Sequence, residues 1–183
     1  MSGAPVAAVL AGGRSRRMGS AKALVELGGR PLLAWALAAA VGAGLETVVV
    51  AKPGSELPPL DVPVWPEPAQ PSHPLTGVIA ALERAAPRAV VVLACDMPFV
   101  PAELIARLAR LDAPAAAPVG EGFPARYESA ALPVLRAGLE REAPLRAVLA
   151  ELAAVEVAAG GPAHALLGIN DPEALARAAA LLR

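Results

Sequence analysis

The chain has 183 residues, 56% of them hydrophobic, with a net charge of −1 and a pI of about 6.1. This length suits one folded unit, so we expect a single domain over residues 1–183. The near-neutral charge argues against nucleic acid as a partner. The longest uncharged apolar run, residues 32–45, is shorter than the ~20 residues that a membrane helix needs. The lone cysteine, Cys95, excludes an internal disulfide and favours a reducing compartment. These features predict a cytoplasmic protein without a membrane segment.

Short apolar runs alternate along the chain with longer patterns that are typical of helices. We predict strands at residues 6–10, 23–27, 47–51, 62–64, 89–94, 115–119, 123–127, 155–157 and 165–167. We predict helices at residues 31–43, 77–84, 101–111, 129–139, 144–152 and 172–182, with Pro133 arguing against a straight helix at 129–139. The alternation predicts an α/β fold with three layers, α/β/α, around a mostly parallel sheet.

The segment at residues 10–22, LAGGRSRRMGSAK, follows the first predicted strand and has the composition of a phosphate-binding loop. Adjacent glycines let backbone N–H groups approach a ligand, and three arginines and Lys22 can neutralise its charge. The spacing does not match a P-loop or the dinucleotide-binding G-x-G-x-x-G pattern. The alternative is a glycine-rich turn with solvated arginines.

Asp96 lies just past the predicted strand at residues 89–94, after Cys95 and before Pro98. A carboxylate in this position can hold Mg²⁺ against phosphate oxygens. The alternative is a turn or helix-capping aspartate. Ligands of parallel sheets bind at the carboxyl ends of strands, so residues 11–22 and 95–101 are expected at the same edge of the sheet.

Four further residues receive ordinary structural interpretations from sequence. Asn170 or the following aspartate is expected to cap the last helix. His73 and His164 lack partners at metal-ligand spacing, and Cys95 is expected to be a buried structural thiol rather than a nucleophile.

Residues 10–33, LAGGRSRRMGSAKALVELGGRPLL, resemble the N-terminal signature of molybdenum cofactor guanylyltransferases and their nucleotidyltransferase relatives, LAGG-x-S-x-RMG-x-x-K. The resemblance continues at HPLTG (residues 73–77), where the family has G-P-L-x-G. It continues again at CDMPF (95–99), FPARY (123–127) and INDPE (169–173). The chain departs from the family pattern at Ala21 and Gly168, where the family has aspartate and asparagine.

The resemblance implies a Rossmann-like sheet of the nucleotide-diphospho-sugar transferase type. It implies that the terminal phosphate of molybdopterin attacks the α-phosphate of GTP, so that pyrophosphate leaves and molybdopterin guanine dinucleotide forms. Mg²⁺ is the implied cofactor. GTP and molybdopterin are the implied substrates, and molybdoenzyme maturation proteins the implied transient partners. The residues implied to bind nucleotide are Leu10, Ala11, Gly12, Gly13, Lys22, Glu67, Gly77 and Asp96. Arg17, Lys22 and Asp96 are the implied catalytic residues, and Asp96 and Asn170 the implied metal ligands.

Three alternatives remain open on sequence. A relative that uses CTP more often begins LAAG, so Gly12 favours GTP. Another small nucleoside triphosphate transferase would share the same motifs, whereas sugar-phosphate enzymes usually carry extra sheet. A non-catalytic nucleotide-binding module that delivers cofactor would not need the carboxylate of Asp96.

Overall fold

The computed structural model describes residues 3–12 and 21–183, which contain nine β-strands and six α-helices. The strands are β1 (Val6–Leu10), β2 (Glu26–Leu27), β3 (Arg30–Pro31), β4 (Glu46–Ala51), β5 (Val64–Pro66), β6 (Val90–Ala94), β7 (Ala115–Pro118), β8 (Ala125–Tyr127) and β9 (Val155–Val157). The helices are α1 (Leu32–Gly42), α2 (Pro74–Ala85), α3 (Ala102–Arg110), α4 (Leu132–Glu140), α5 (Leu145–Glu151) and α6 (Pro172–Ala180).

Seven of the described strands form one sheet in the order β5-β4-β1-β6-β8-β7-β9. Strand β1 lies inside the sheet and pairs in parallel with β4 and β6 along its whole length, from Val6 to Leu10. Strand β8 runs antiparallel to both of its neighbours, β6 and β7. The mostly parallel sheet predicted from the alternating elements is therefore confirmed.

Alternate side chains of β1 enter the two faces of the sheet. Val6 and Ala8 pack in the cluster that includes residues of α2 and α4, whereas Ala7 and Val9 pack with residues of α1 and α3. All four side chains are fully buried. A strand covered on both faces needs a continuous apolar run, which is what residues 6–10 supply. The predicted three-layer α/β/α architecture is confirmed.

Two helices begin at prolines whose preceding residue caps the helix. Pro74 opens α2, and the His73 side chain accepts a hydrogen bond from the Leu75 N–H. Pro172 opens α6, and the Asp171 side chain accepts one from the Ala174 N–H at 2.8 Å. Proline suits a first helical turn because its missing N–H would have no partner there.

Several sequence-based predictions of elements were wrong in place or type. Residues 23–27 are not one strand: a 3₁₀ helix, Lys22–Leu24, precedes β2, which forms a hairpin with β3. The strand predicted at 62–64 lies at Val64–Pro66, and residues 165–167 form turns. Pro133 does not bend a helix at 129–139, because a 3₁₀ helix, Ser129–Ala131, ends before it and Pro133 falls in the first turn of α4.

Across the described ranges, each helix is too short or too polar to span a lipid bilayer.

Candidate active site

A cavity of about 580 Å³ opens at the carboxyl ends of β1, β4, β5 and β6. Its described lining residues come from the segments that follow these strands, from the loop between β7 and β8, and from segments near α2, α5 and α6. They are Leu10, Gly12, Lys22, Lys52, Glu67, Ser72, His73, Pro74, Ala94, Cys95, Asp96, Met97, Glu121, Gly122, Phe123, Leu145, Arg146, Leu166, Gly168 and Asn170. The prediction that the segments after β1 and β6 share one sheet edge is confirmed, because Lys22 and Asp96 are in contact there.

Lys22 joins three distant parts of the chain at the cavity. Its Nζ donates to Asp96 Oδ2 and to Asn170 Oδ1, each at 2.5 Å. The Lys22 and Asp96 side chains retain 20% and 14% of their exposure. The Ile169 N–H donates to the Asp96 carbonyl at 2.8 Å, which ties the segment before α6 to the end of β6. A single ammonium therefore lies between two oxygens of different side chains.

Asn170 does not cap the last helix, since Asp171 performs that role. The sequence allowed either residue as the cap: Asp171 caps α6, whereas the Asn170 side-chain oxygen accepts a hydrogen bond from Lys22. The oxygens of Asp96 and Asn170 are of the kind that Mg²⁺ prefers. Because both oxygens converge on one cation, Asp96 and Asn170 are the residues that would hold Mg²⁺. Among the described residues, no group of three or more His, Cys, Asp or Glu side chains could hold a metal alone.

Glu67 places a largely buried carboxylate in the cavity wall, just beyond the end of β5. A Cβ at Gly12 would lie 2.0 Å from Glu67 Oε1, and one at Gly77 would lie 2.5 Å from Oε2. The carboxylate thus occupies space that two glycines leave free. Burial raises the pKa of Glu67, and the charge of Lys52 opposes that rise. Lys52 Nζ donates to the Ala69 carbonyl at 3.0 Å.

The cavity also has an apolar lining, supplied by Met97, Phe123 and Leu145. Arg146 and Glu121 line it as well, with Nη2 and Oε2 3.5 Å apart. Arg126, from the FPARY motif, lies elsewhere: it is buried and bonds Glu128 Oε1 at 2.8 Å.

Cys95 is buried beside Asp96, as the sequence predicted. Burial, together with the nearby Asp96 charge, raises the pKa of the Cys95 thiol to about 12. A thiol that stays protonated at neutral pH is a poor nucleophile.

The structure brings together most residues that the resemblance selected. Leu10, Gly12, Lys22, Glu67, Asp96 and Asn170 line the cavity. Ala11 and Gly77 are not in the lining: the Ala11 N–H donates to the Val50 carbonyl at 2.8 Å, and Gly77 lies next to the Glu67 carboxylate. Gly13 and Arg17 lie outside the described residues.

Among the basic residues of the cavity, sequence reasoning missed Lys52, His73 and Arg146. Lys52 directly follows β4, so the rule that selected Asp96 after β6 would have found it. His73, interpreted as ordinary, both caps α2 and lines the cavity. Arg146 lies in the first turn of α5, and nothing in its local sequence distinguishes it from other surface arginines.

The family model for the MobA-like NTP transferase domain matches residues 7–157. A molybdenum cofactor guanylyltransferase from Cereibacter sphaeroides is 36% identical, with 96% of this chain and 95% of the relative covered. The crystal structure of molybdopterin-guanine dinucleotide biosynthesis protein A from Archaeoglobus fulgidus shares the fold, with a TM-score of 0.80 at 24% identity over 97% and 98% of the two chains. That of 2-C-methyl-D-erythritol 4-phosphate cytidylyltransferase from Thermus thermophilus has a TM-score of 0.70 at 26% identity over 99% and 98%.

Fold, cavity and relatives together define a nucleotidyltransferase enzyme. The chain belongs to the MobA-like NTP transferase family, which confirms the resemblance carried by residues 10–33 and the four later motifs.

Proposed function

We propose that this enzyme transfers GMP from GTP to the terminal phosphate of molybdopterin, releasing pyrophosphate and forming molybdopterin guanine dinucleotide. The single observation that carries the choice of GTP is the carboxylate of Glu67, held in the cavity wall between Gly12 and Gly77. The name of the Cereibacter sphaeroides relative supports the same choice.

Guanine suits a carboxylate better than the other bases do. Its Watson–Crick edge presents two adjacent donors, N1–H and N2–H₂, and a carboxylate has two acceptor oxygens. Cytosine and adenine present one exocyclic donor beside an unprotonated ring nitrogen. That nitrogen is an acceptor, so it cannot form a hydrogen bond with the second carboxylate oxygen. A site built for two donors rejects a base that lacks one, because its acceptor is then left unpaired.

Lys22, Asp96 and Asn170 have the charges and oxygen ligands needed to bind the triphosphate together with a metal ion. The Lys22 ammonium can leave Asp96 and Asn170 for phosphate oxygens, and these two side chains would hold Mg²⁺. When bound, the ion would neutralise charge on the triphosphate. Phosphoryl transfer needs chiefly positioning and neutralisation of charge, and these residues supply both.

The transfer forms one bond and breaks one. An oxygen of the molybdopterin phosphate bonds to the α-phosphorus of GTP, and the bond from that phosphorus to the bridging oxygen of pyrophosphate breaks. The apolar lining at Met97, Phe123 and Leu145 offers a surface for a flat acceptor. Arg146, which lines the same cavity, can meet the anionic acceptor phosphate.

A cytidylyltransferase is the second candidate, favoured by the likeness in fold to the Thermus thermophilus enzyme. The test mixes the protein with molybdopterin, Mg²⁺ and each nucleoside triphosphate in turn, and measures pyrophosphate. We expect release with GTP. Release with CTP and not GTP would contradict the guanylyl assignment. Binding of GTP without release from any nucleotide would support a cofactor-delivery module instead.

A further inference from the structure

His73 caps α2 and lines the same cavity as Glu67. Its backbone is extended, with φ −136° and ψ 144°, and the residue is partly buried. Its Nδ1 lies 3.2 Å from the Leu75 nitrogen and accepts that N–H. Residues with side-chain oxygens more commonly fill this role, so the cap here places an imidazole at a residue of the cavity wall.

The cap determines which nitrogen of His73 carries the proton. A nitrogen that accepts a hydrogen bond is unprotonated, so in the neutral imidazole the hydrogen is on Nε2. Among the described residues, Nε2 has no hydrogen-bond partner. The imidazole is therefore oriented by one nitrogen and can donate with the other.

A hydrogen-bond donor in the cavity that Glu67 also lines would complete the pattern that guanine requires. Beyond its N1–H and N2–H₂ donors, guanine carries the acceptors O6 and N7 on its major-groove edge. A carboxylate alone forms no hydrogen bond with these acceptors, because it has no hydrogen to donate. Adenine has an amino group in place of O6, and this donor would face the Nε2–H donor of His73.

We propose that His73 is a specificity-determining residue whose Nε2–H donates a hydrogen bond to the O6/N7 edge of bound guanine. This inference rests on the proposed function, because it requires guanine in the part of the cavity that Glu67 lines. Glu67 then accepts hydrogen bonds from the two donors of the base, and His73 donates to its acceptor edge. The two residues lie at opposite ends of the segment between β5 and α2, which therefore selects the nucleotide.

The experiment measures equilibrium binding of three guanine nucleotides, GTP, 7-deaza-GTP and 6-thio-GTP, and of CTP for comparison, in the presence of Mg²⁺ and without molybdopterin. The first analogue lacks N7, and the second replaces O6 with a poor acceptor. The variants are His73→Ser, which can still cap α2 but cannot reach the base, and His73→Ala, which loses both interactions. Thermal unfolding of each variant separates loss of fold from loss of contact.

We expect His73→Ser to bind GTP about tenfold more weakly than the wild type, the scale of one lost directional contact. For the analogue that lacks the acceptor used by His73, wild type and His73→Ser should bind equally. Wild-type affinity of His73→Ser for GTP, or the same loss for all three nucleotides, would overturn the inference. A loss confined to His73→Ala would also overturn it, since the cap alone would then matter. Wild-type protein that prefers CTP to GTP would instead overturn the proposed function, and this inference with it.

Discussion

At the scale of single residues, the contact between Lys22, Asp96 and Asn170 is the centre of the site. Two oxygens already face one cation at 2.5 Å, so they are placed to hold a metal ion once the Lys22 ammonium has moved to phosphate. Preorganised groups of this kind account for much of enzymatic rate enhancement, because they need not reorient during the reaction.

Replacing Asp96 by alanine should lower turnover by roughly 10²-fold or more, the usual scale for losing one preorganised electrostatic contact. The measurement is pyrophosphate release with GTP, Mg²⁺ and molybdopterin. Asp112→Ala is the matched control, because that exposed carboxylate lies in a separate pocket with Gly3 and Ala89. Near-normal turnover of Asp96→Ala would remove Asp96 from the proposed metal role.

The variant Gly77→Ala tests the position of the Glu67 carboxylate while Glu67 itself is kept. In Gly77→Ala the new Cβ would meet Glu67 Oε2 at 2.5 Å and Leu10 Cδ2 at 3.0 Å, so the end of the flexible Glu67 chain must move. We expect a folded protein that binds GTP about tenfold more weakly, a loss of ~1.4 kcal/mol. Binding titrations with GTP and ITP measure both affinity and the contribution of the 2-amino group.

Gly42→Ala is the control for that variant, because its Cβ would meet the Ala102 Cβ at an ordinary 3.4 Å. Its affinity for GTP should stay at the wild-type value. If Gly77→Ala also kept full affinity and full discrimination between GTP and ITP, the Glu67 carboxylate would not contact the base.

At the scale of elements, helix α6 positions Asn170 from outside the sheet. Ile169 is fully buried and bonded to Asp96, and Ala174 and Ala178 bury one face of the helix. Asp171 fixes the first turn through its bond to the Ala174 N–H. The last helix therefore contributes to the site by holding the segment that precedes it.

Asp171→Ala should lower the free energy of unfolding by about 1 kcal/mol, the typical cost of losing a helix cap, and should raise KM for GTP. Urea unfolding and steady-state kinetics measure the two effects. Asp171→Ser can still cap the helix and should restore most of both. A variant that loses stability while KM stays unchanged would show that Asn170 keeps its position without the cap.

At the scale of the whole molecule, burial of the Glu67 carboxylate in the cavity wall lowers the free energy of unfolding when this group is charged. Burial raises the pKa of this carboxyl in the folded protein above its ordinary value of 4.5, so the folded state binds the proton more tightly than the unfolded state does. The stability that this proton contributes is complete below pH 4.5 and is lost as the pH rises through the raised pKa. Above that raised pKa the free protein carries a carboxylate charge that burial disfavours.

Glu67→Gln should therefore have a higher Tm than the wild type at pH 7 without nucleotide, and the difference should shrink as the pH falls toward 4. Thermal unfolding at several pH values measures it, with Glu56→Gln as the exposed control. The same variant should bind GTP more weakly, since the amide offers one acceptor in place of two. A Tm difference that does not depend on pH would mean that the charge of Glu67 is not the cause.

The central elements of the fold could be predicted from sequence because they depend on local patterns. The continuous apolar run of β1 can be satisfied only by burial on both faces, and the alternation with helices then requires parallel neighbours. The 3₁₀ turn at Lys22–Leu24 and the turns at 165–167 could not be predicted in this way. Their apolar residues resemble strands, and only the packing around them determines their backbone.

For the site, the sequence by itself determined the family and the chemistry of individual groups: the basic loop, the carboxylate after β6, and an asparagine near the last helix. Tertiary structure alone decided their partners. Lys22 is separated from Asp96 by 74 positions and from Asn170 by 148, and no local pattern specifies such contacts. The same holds for Glu67 between Gly12 and Gly77, and for the direction of the His73 ring. The physical reason is that a side chain's chemistry belongs to the residue, whereas its distance from other groups depends on how the sheet brings loop ends together.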